Sequence, residues 1–209
     1  MYKHIYLVRH GETEFNLEGK IQGGGLDSPL TEKGKEQAKK LADHLKDSGF
    51  SVNRIYASPL GRAMETARIL NEALNLEINE EPLLKEINCG NFEGKLISSI
   101  DSEKLRKLRV DPEEKYPGGE NVIDVKHRAE QFLNKIRSDK KDSVLIVSHG
   151  NFNRAFACAA TGMNSFMAMK IYQDNTGFNY LFKSGEYYRI GMWNSTAHLG
   201  FLPKQVSVT

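Results

Sequence analysis

Long apolar runs, cysteine and an excess of charge are all scarce in this chain of 209 residues. No apolar run approaches the roughly 20 residues of a membrane-spanning helix, so we expect no membrane association. The two cysteines, Cys89 and Cys158, lack the spacing of a metal site, which indicates reduced thiols without a disulfide. The 29 basic and 27 acidic residues nearly balance, so the charge pattern of a nucleic-acid binder is missing as well.

The amino terminus shows no secretory signal either. Residues 1–4 lead directly into an apolar run, without the charged and then apolar segments of a signal peptide. Together with the two cysteines, this favours a cytoplasmic protein. The length fits one α/β domain, and no repeat, low-complexity tract or linker divides residues 1–209.

Predicted strands and helices alternate along the chain. Continuous apolar runs at residues 5–8 and 144–147 are typical of strands buried on both faces of a sheet. Helical spacing of apolar residues predicts helices at 31–49, 58–70, 122–136 and 150–160, with Thr31 and Ser58 as N-caps, and a polar helix at 97–108. Further strands are predicted at 54–57, 169–172, 178–182 and 187–192, whose aromatic residues we expect to lie mostly in the sheet core. This alternation predicts a three-layer α/β/α sandwich with a mostly parallel central sheet and an antiparallel edge.

The two buried strands end in the same polar pattern. Arg9-His10-Gly11 follows the first strand, and Ser148-His149-Gly150 follows the other. Because ligands bind at the carboxyl ends of strands in open α/β sheets, both histidines are candidates for a functional site. Arg62 lies on the first turn of its predicted helix, where a cation opposes the helix dipole, so it is either solvated or recruited to bind an anion.

These side chains suit phosphoryl transfer. Arginine matches the geometry of phosphate oxygens, and Arg9 and Arg62 supply two fixed positive charges. A neutral imidazole with one nitrogen bound to a backbone carbonyl presents its other nitrogen as a nucleophile. Glu86, at the end of a short apolar run, could protonate the departing alkoxide. The set is complete for a reaction through a phosphohistidine and requires no metal or cofactor.

Six motifs in the same order strongly resemble those of the histidine phosphatase superfamily, also called the phosphoglycerate mutase-like family. They are 9–13 (Arg-His-Gly-Glu-Thr), 22–23 (Gln-Gly), 27–31 (Asp-Ser-Pro-Leu-Thr), 58–63 (Ser-Pro-Leu-Gly-Arg-Ala), Glu86 with 90–94 (Gly-Asn-Phe-Glu-Gly), and 148–150 (Ser-His-Gly). The resemblance implies a phosphoglycerate mutase-like fold, with His10 as the phosphorylated nucleophile and Glu86 as the acid that later serves as base. It places Arg9, Asn16, Arg62 and His149 around the phosphoryl oxygens and Gln22 at the mouth of the site. We expect His149 to be protonated once phosphate is bound.

The chain departs from the family pattern in two places. The loop at residues 23–26 is one glycine longer than usual, and Phe92 stands where many relatives carry tryptophan. The segment within about 88–120 is too short for the insertion by which mutases of this family shield the phosphoenzyme from water. It therefore indicates a single histidine phosphatase domain with a small cap, and favours hydrolysis.

The predicted activity is that of a metal-independent phosphomonoesterase acting on a small phosphorylated metabolite. Its leaving group could be a sugar, an amino acid such as serine, or an alcohol such as α-ribazole. The alternatives are a cofactor-dependent phosphoglycerate mutase and a non-catalytic protein that binds a phospho-ligand; a homodimer is left open. His4, His44 and His127 are interpreted as ordinary histidines, whereas His198 either approaches the site or simply packs.

Overall fold

Six strands form one sheet in the computed structural model, which describes residues 1–139 and 141–200. The strands are β1 (His4–Arg9), β2 (Ile55–Ala57), β3 (Ile78–Glu80), β4 (Ser143–Ser148), β5 (Phe178–Ser184) and β6 (Tyr187–Ser195). Their order is β3-β2-β4-β1-β5-β6. The first four in this order are parallel neighbours, and β5 runs antiparallel to both β1 and β6. The predicted mostly parallel sheet with an antiparallel edge is confirmed.

The helices connect these strands across both faces of the sheet. They are α1 (Glu14–Glu18), α2 (Glu32–Asp47), α3 (Gly61–Asn71), α4 (Ser102–Val110), α5 (Val122–Lys135) and α6 (Gly150–Thr161). Short 3-10 turns lie at Pro82–Leu84, Gly90–Phe92, Ile97–Ser99, Ile136–Ser138, Ser165–Met169 and Ala197–Leu199. Thr31 caps α2 as predicted, because its side chain accepts a hydrogen bond from the backbone N–H of Gly34. No helix among the described residues has both the length and the apolar character needed to cross a membrane.

The core consists of two apolar layers separated by the sheet. Val144 and Ile146 of β4 pack into the layer formed with α5 and α6, which contains the fully buried Phe132. Leu145 and Val147 alternate to the opposite face and pack with α2 and α3. Because successive side chains of a strand point to opposite faces, one continuous apolar run serves both layers. The three-layer sandwich predicted from the sequence is confirmed.

The predicted strand at 169–172 is wrong. Residues Ser165–Met169 form a 3-10 turn, and an irregular loop follows up to β5. Tyr172 is 54% exposed, and Tyr187 at the sheet edge is 62% exposed, so neither belongs to the sheet core. Met169, Ile171 and Tyr172 resembled the residues of a strand, but in the described part of the chain no neighbouring strand pairs with 169–172.

Two helix starts also differ from the prediction. The polar helix divides into the turn at Ile97–Ser99 and α4, whose N-cap is Asp101. Helix α3 begins at Gly61 and is not capped by Ser58. The Ser58 hydroxyl instead lies 2.8 Å from Nε2 of His149, and the Gly61 N–H donates to the carboxylate of Asp27. A distant aspartate therefore takes the capping role that the local sequence assigned to serine.

Candidate active site

The ends of β1 and β4 lie side by side. Arg9 is in register with Ser148, and the His10 N–H donates to the Ser148 carbonyl at 3.0 Å. The residues that follow each strand therefore leave the sheet at the same place, as the carboxyl ends of parallel strands do. The ring centroids of His10 and His149 are 5.2 Å apart. The structure thus brings together the two histidines that the sequence singled out.

The imidazole of His10 is held in one tautomer. Its Nδ1 lies 2.8 Å from the Gly11 carbonyl oxygen, and the side chain is buried. A carbonyl can only accept a hydrogen bond, so Nδ1 carries the proton and Nε2 retains its lone pair. Burial, reinforced by the positive charges of Arg62 and Arg9, lowers the pKa of His10 well below its usual value. His10 is therefore a neutral imidazole with a free Nε2 at neutral pH.

Arg62 is fixed by acceptors from a single loop. Its Nη1 donates to Asp27 at 2.8 Å and to the Leu26 carbonyl at 3.1 Å, and its Nη2 donates to the Gly23 carbonyl at 2.8 Å. The residue is only 1% exposed, so the solvated alternative is wrong. Because Asp27 also caps α3, this carboxylate offsets both the charge of Arg62 and the dipole of the helix that carries it.

Arg9 and His149 are the other two basic residues near His10. Arg9 Nη1 donates to the Gln173 carbonyl at 2.7 Å, while His149 is fully buried and bound through Nε2 to Ser58. Burial lowers the pKa of His149 well below its usual value, and the positive charges of Arg62 and Arg9 act in the same direction. His149 is consequently neutral in the unliganded protein.

Three buried side-chain nitrogens of this cluster have no protein partner. Among residues 1–139 and 141–200, Nε of Arg9, Nε of Arg62 and Nδ1 of His149 are buried without a hydrogen bond from the protein. Buried polar groups are nearly always paired, because an unpaired one costs about 1–3 kcal/mol. A ligand with several acceptor oxygens would pair with the two arginine N–H groups, and with Nδ1 of His149 when that nitrogen carries a proton. The cluster thus matches a tetrahedral anion in both charge and hydrogen-bonding capacity.

Glu86 is anchored at the amino-terminal end of α6. Its Oε2 accepts from the Asn151 N–H at 3.1 Å, and its Oε1 accepts from the N–H groups of Phe152 at 3.2 Å and Ile87 at 2.8 Å. The first turn of a helix has free N–H groups and a positive dipole end, so it is a natural place for a carboxyl group. The contacts fix the orientation of Glu86 in the site.

Arg128 of α5 holds the backbone on which Glu86 stands. Its guanidinium donates to the carbonyls of Leu83, Lys85 and Glu86 at 2.8–3.3 Å, and both carboxylate oxygens of Glu120 accept from it. Such a bidentate pair is geometrically specific. Two helices therefore determine the position of Glu86, α6 through its side chain and α5 through its backbone.

A cavity of about 170 Å³ joins these groups. It is lined by Arg9, His10, Asn16, Ile21, Gln22, Gly23, Arg62, Glu86, Cys89, Tyr116 and Asn151. His149 is not part of this lining and lies beside His10. The volume is below the roughly 300–1,000 Å³ of sites for drug-sized ligands, so a small molecule fits.

Asn16 and Gln22 both line the cavity but differ in the hydrogen bonds of their amide groups. Gln22 Nε2 donates to the hydroxyls of Thr13 and Ser28 at 2.7 and 2.5 Å, which ties its amide into the wall. The Asn16 Oδ1 accepts from the Thr13 N–H at 3.3 Å. Its NH₂ group is then left as the donor that can serve a ligand.

Four of the lining residues lie outside the six sequence motifs and were assigned no role: Ile21, Cys89, Tyr116 and Asn151. Cys89 and Tyr116 belong to the segment expected to form the cap, and burial raises the pKa of the Cys89 thiol. Both cysteines of the chain, Cys89 and Cys158, are buried free thiols. No local sequence signal marks these residues, because the fold brings them to the cavity from separate segments.

His198 lies outside the cavity lining. Its Nε2 is 2.9 Å from the Thr176 hydroxyl, on the loop before β5. Burial, with smaller contributions from the charges of His44 and Lys40, lowers the pKa of His198 to about 4. Of the two interpretations from the sequence, packing describes this residue. In the described part of the chain, no three His, Cys, Asp or Glu side chains are grouped so that they could hold a metal ion.

The fold is of the α/β class, and the cavity is lined by two arginines, a neutral histidine and a carboxyl group. Residues 5–196 match the histidine phosphatase superfamily (branch 1), and the chain belongs to this family.

The similar proteins include both a phosphatase and a probable mutase. The chain is 35% identical over 201 residues to phosphoserine phosphatase 1 of Hydrogenobacter thermophilus, covering 94% of each protein. It is 37% identical over 151 residues to the probable phosphoglycerate mutase GpmB of Proteus mirabilis, covering 70% of this chain and 69% of that protein. A phosphoserine phosphatase mutant from Entamoeba histolytica, crystallised with phosphoserine, superposes with a TM-score of 0.81 at 29% identity, covering 94% of this chain and 98% of that one.

Proposed function

We propose that this phosphatase hydrolyses a small phosphomonoester through a phosphohistidine on His10, without a metal ion. The observation that carries the proposal is the hydrogen bond from Nδ1 of His10 to the Gly11 carbonyl. It leaves Nε2 unprotonated in a cavity whose walls also carry Arg9 and Arg62. A nucleophile of this kind next to two fixed cations is the arrangement that covalent phosphoryl transfer requires.

In the first step, Nε2 of His10 attacks the phosphorus atom of the substrate. The bond between phosphorus and the ester oxygen breaks, and Glu86, in its acid form, gives its proton to the departing alkoxide. In the second step, the Glu86 carboxylate takes a proton from water. The hydroxide formed attacks the phosphohistidine, the bond from phosphorus to nitrogen breaks, and inorganic phosphate leaves. Glu86 is again protonated, so the cycle balances.

Arg9, Arg62, Asn16 and His149 hold the phosphoryl oxygens in this proposal. The support for these roles is that three of the four residues carry buried nitrogens without a protein partner, and that Asn16 lines the cavity with its NH₂ free. A phosphate dianion would favour the charged form of His149, against the burial that keeps it neutral beforehand. Protonation of His149 on phosphate binding therefore stays a prediction.

The proposal assigns residues 1–209 to one domain with a small cap within about 88–120. Cys89 and Tyr116 bring this segment to the cavity wall. A short cap leaves water with access to the phosphoenzyme, which favours hydrolysis over return of the phosphoryl group. Similarity to a phosphoserine phosphatase across nearly the full length supports the same choice. The proposal also places the protein in the cytoplasm, where buried free thiols persist.

The second candidate is a phosphoglycerate mutase, favoured by the similarity to GpmB. A non-catalytic phospho-ligand binder is less well supported. Such a protein has no need of a nucleophile and an acid, whereas His10 and Glu86 both line the cavity here.

The test is a panel of phosphorylated metabolites assayed for released phosphate in the presence of EDTA. The panel contains phosphoserine, 3-phosphoglycerate, sugar phosphates and α-ribazole phosphate, and His10→Ala serves as the inactive control. We expect phosphate release that EDTA does not reduce. Conversion of 3-phosphoglycerate to its isomer without phosphate release would establish the mutase instead. Activity that appears only with an added divalent metal would overturn the mechanism.

A further inference from the structure

Asn175 contacts two residues of the proposed site from outside the cavity. Its Nδ2 lies 3.0 Å from the His10 carbonyl oxygen and 3.3 Å from Oδ1 of Asn16. The Asn175 side chain thus links His10, the proposed nucleophile, to Asn16, a proposed phosphate ligand. Neither the sequence motifs nor the catalytic steps above give Asn175 a role.

The contact with Asn16 determines which way its amide faces. Oδ1 of Asn16 accepts from the Thr13 N–H and from Asn175 Nδ2, both at 3.3 Å. Two donors directed at one atom require that atom to be the amide oxygen, so the NH₂ group lies on the other side. Because Asn16 lines the cavity, this leaves its donors for the oxygens of a bound phosphate.

The contact with His10 fixes the backbone where the nucleophile leaves β1. The His10 carbonyl accepts from Asn175 Nδ2 at 3.0 Å and from the Thr176 N–H at 3.3 Å. The same N–H lies 3.0 Å from the Arg9 carbonyl. The Gln173 carbonyl also accepts a hydrogen bond from the Arg9 side chain. The loop at 173–177 therefore holds both Arg9 and His10 at the end of β1.

This loop is itself anchored from the carboxyl-terminal side. Asn194 exchanges two hydrogen bonds with Asp174, at 2.7 and 2.9 Å, and His198 binds the Thr176 hydroxyl. Thr176 is fully buried with a φ of 54°, a backbone conformation that a residue other than glycine adopts only when its surroundings impose it. The contacts on both sides impose it here.

We propose that Asn175 is a positioning residue of the phosphate site, which acts on phosphate affinity by orienting the Asn16 amide. The inference rests on the proposed function, since it takes Asn16 as a phosphate ligand. It predicts that Asn175 matters for phosphate affinity only while Asn16 is present. A residue that merely stabilised the fold would not show that dependence.

The test is a double-mutant cycle on inorganic phosphate binding, measured by calorimetry on the full chain. Asn16→Ala should weaken phosphate binding about 10–100-fold, as expected for loss of a hydrogen bond to a charged group, and Asn175→Ala about 10-fold. The double variant should bind no more weakly than Asn16→Ala alone, because the two residues act in series. Multiplying effects in the double variant, or unchanged affinity in Asn175→Ala, would overturn the inference.

Two further variants separate positioning from general loosening. Asn175→Asp keeps the shape of the side chain but cannot donate, so it should lose at least as much affinity and serves if the alanine variant does not fold. His198→Ala removes one of the two carboxyl-terminal anchors of the same loop without touching Asn16 or His10, and it should bind phosphate within about 2-fold of the wild type. A loss in His198→Ala equal to that in Asn175→Ala would show that loop rigidity alone is responsible, against the inference.

Phosphate binding needs no turnover, so the two proposals fail differently. A wild-type protein that binds phosphate through Asn16 and Asn175 but hydrolyses no ester would refute the proposed function and leave the inference intact. If the wild type hydrolyses esters but Asn175→Ala binds phosphate as tightly as the wild type, the inference is refuted and the proposed function stands. Absence of phosphate binding by the wild type would overturn both.

Discussion

Asp27 binds the fully buried guanidinium of Arg62, with Oδ1 lying 2.8 Å from Nη1. The two residues are 35 positions apart in the sequence, and the fold brings them together at the start of α3. The carboxylate also accepts the Gly61 N–H of that helix. Arg62 is therefore presented to the cavity by an acidic residue that does not itself line it.

Replacement of Asp27 by alanine should weaken both stability and substrate affinity. The change leaves the buried charge of Arg62 without its carboxylate and removes the cap of α3. Because the Asp27 side chain is 34% exposed, water screens part of the loss, and we expect the free energy of unfolding to fall by about 1–3 kcal/mol. KM should rise more than kcat falls. Urea unfolding and steady-state kinetics measure the two effects, and Asp27→Asn should retain part of the stability. An unchanged KM would contradict the positioning of Arg62 by Asp27.

Replacement of His10 by alanine should abolish hydrolysis of an aryl phosphate, by at least about 10³-fold, because no other group supplies the covalent intermediate. The fold should persist, because among the described residues the ring makes one hydrogen bond, to the carbonyl of the neighbouring Gly11. Circular dichroism measures whether the fold persists, and phosphate release measures hydrolysis. His127→Ala, at an exposed position of α5, is the matched histidine control and should keep full activity. Residual turnover in His10→Ala near the wild-type level would exclude a phosphohistidine.

The sequence was sufficient to predict the residues whose position depends on a strand end. Val8 and Val147 lie in apolar runs that stop at the same edge of the sheet, so the histidines that follow had to be neighbours once the strands were parallel. Because those runs are continuously apolar, they also predicted a core on both faces of the sheet. Here local pattern and tertiary structure agree.

Contacts between distant loops could not be predicted in the same way. Asn175 and His10 are 165 residues apart, and residues 169–172, just before Asn175, were predicted as a strand where the structure has a turn and a loop. Ser58 had the local chemistry of an N-cap, but its hydroxyl binds His149 and Asp27 caps the helix instead. In each case a tertiary hydrogen bond displaced the local preference, and only the assembled fold reveals it.

Replacement of Glu86 by glutamine should slow the reaction according to the leaving group. Glutamine cannot protonate an alkoxide, so alkyl phosphates should lose about 10²–10⁴-fold in the first step, whereas aryl phosphates, whose leaving groups depart as anions, should lose much less in that step. Single-turnover release of the alcohol or phenol measures this step directly. Equal losses for alkyl and aryl esters would argue against Glu86 as the acid. Glu120→Gln, which weakens the contact with Arg128, is the control for displacement of the Glu86 backbone.

The pH dependence of stability should reveal the buried histidines. Burial lowers the pKa of His10, His149 and His198 in the folded protein, to about 4 for His198, whereas an unfolded histidine titrates near 6.5. Between these values the unfolded chain binds more protons than the folded chain, so the free energy of unfolding falls as the pH drops below about 6.5. The contribution of His198 to this loss of stability is largely complete near pH 4, the pKa of the residue in the folded protein. Above pH 6.5 both states are neutral at these residues, and they contribute no slope.

His198→Gln isolates one of these contributions, because glutamine does not titrate and can still contact the Thr176 hydroxyl. Carboxyl groups, which also titrate below pH 5, are common to both proteins and cancel in the comparison. Urea unfolding at pH 7 and pH 5 should show a smaller loss of stability in the variant than in the wild type. Equal losses would mean that His198 is protonated in the folded state at pH 5, so the desolvation imposed by its place between Thr176 and α2 would be too weak to keep the ring neutral.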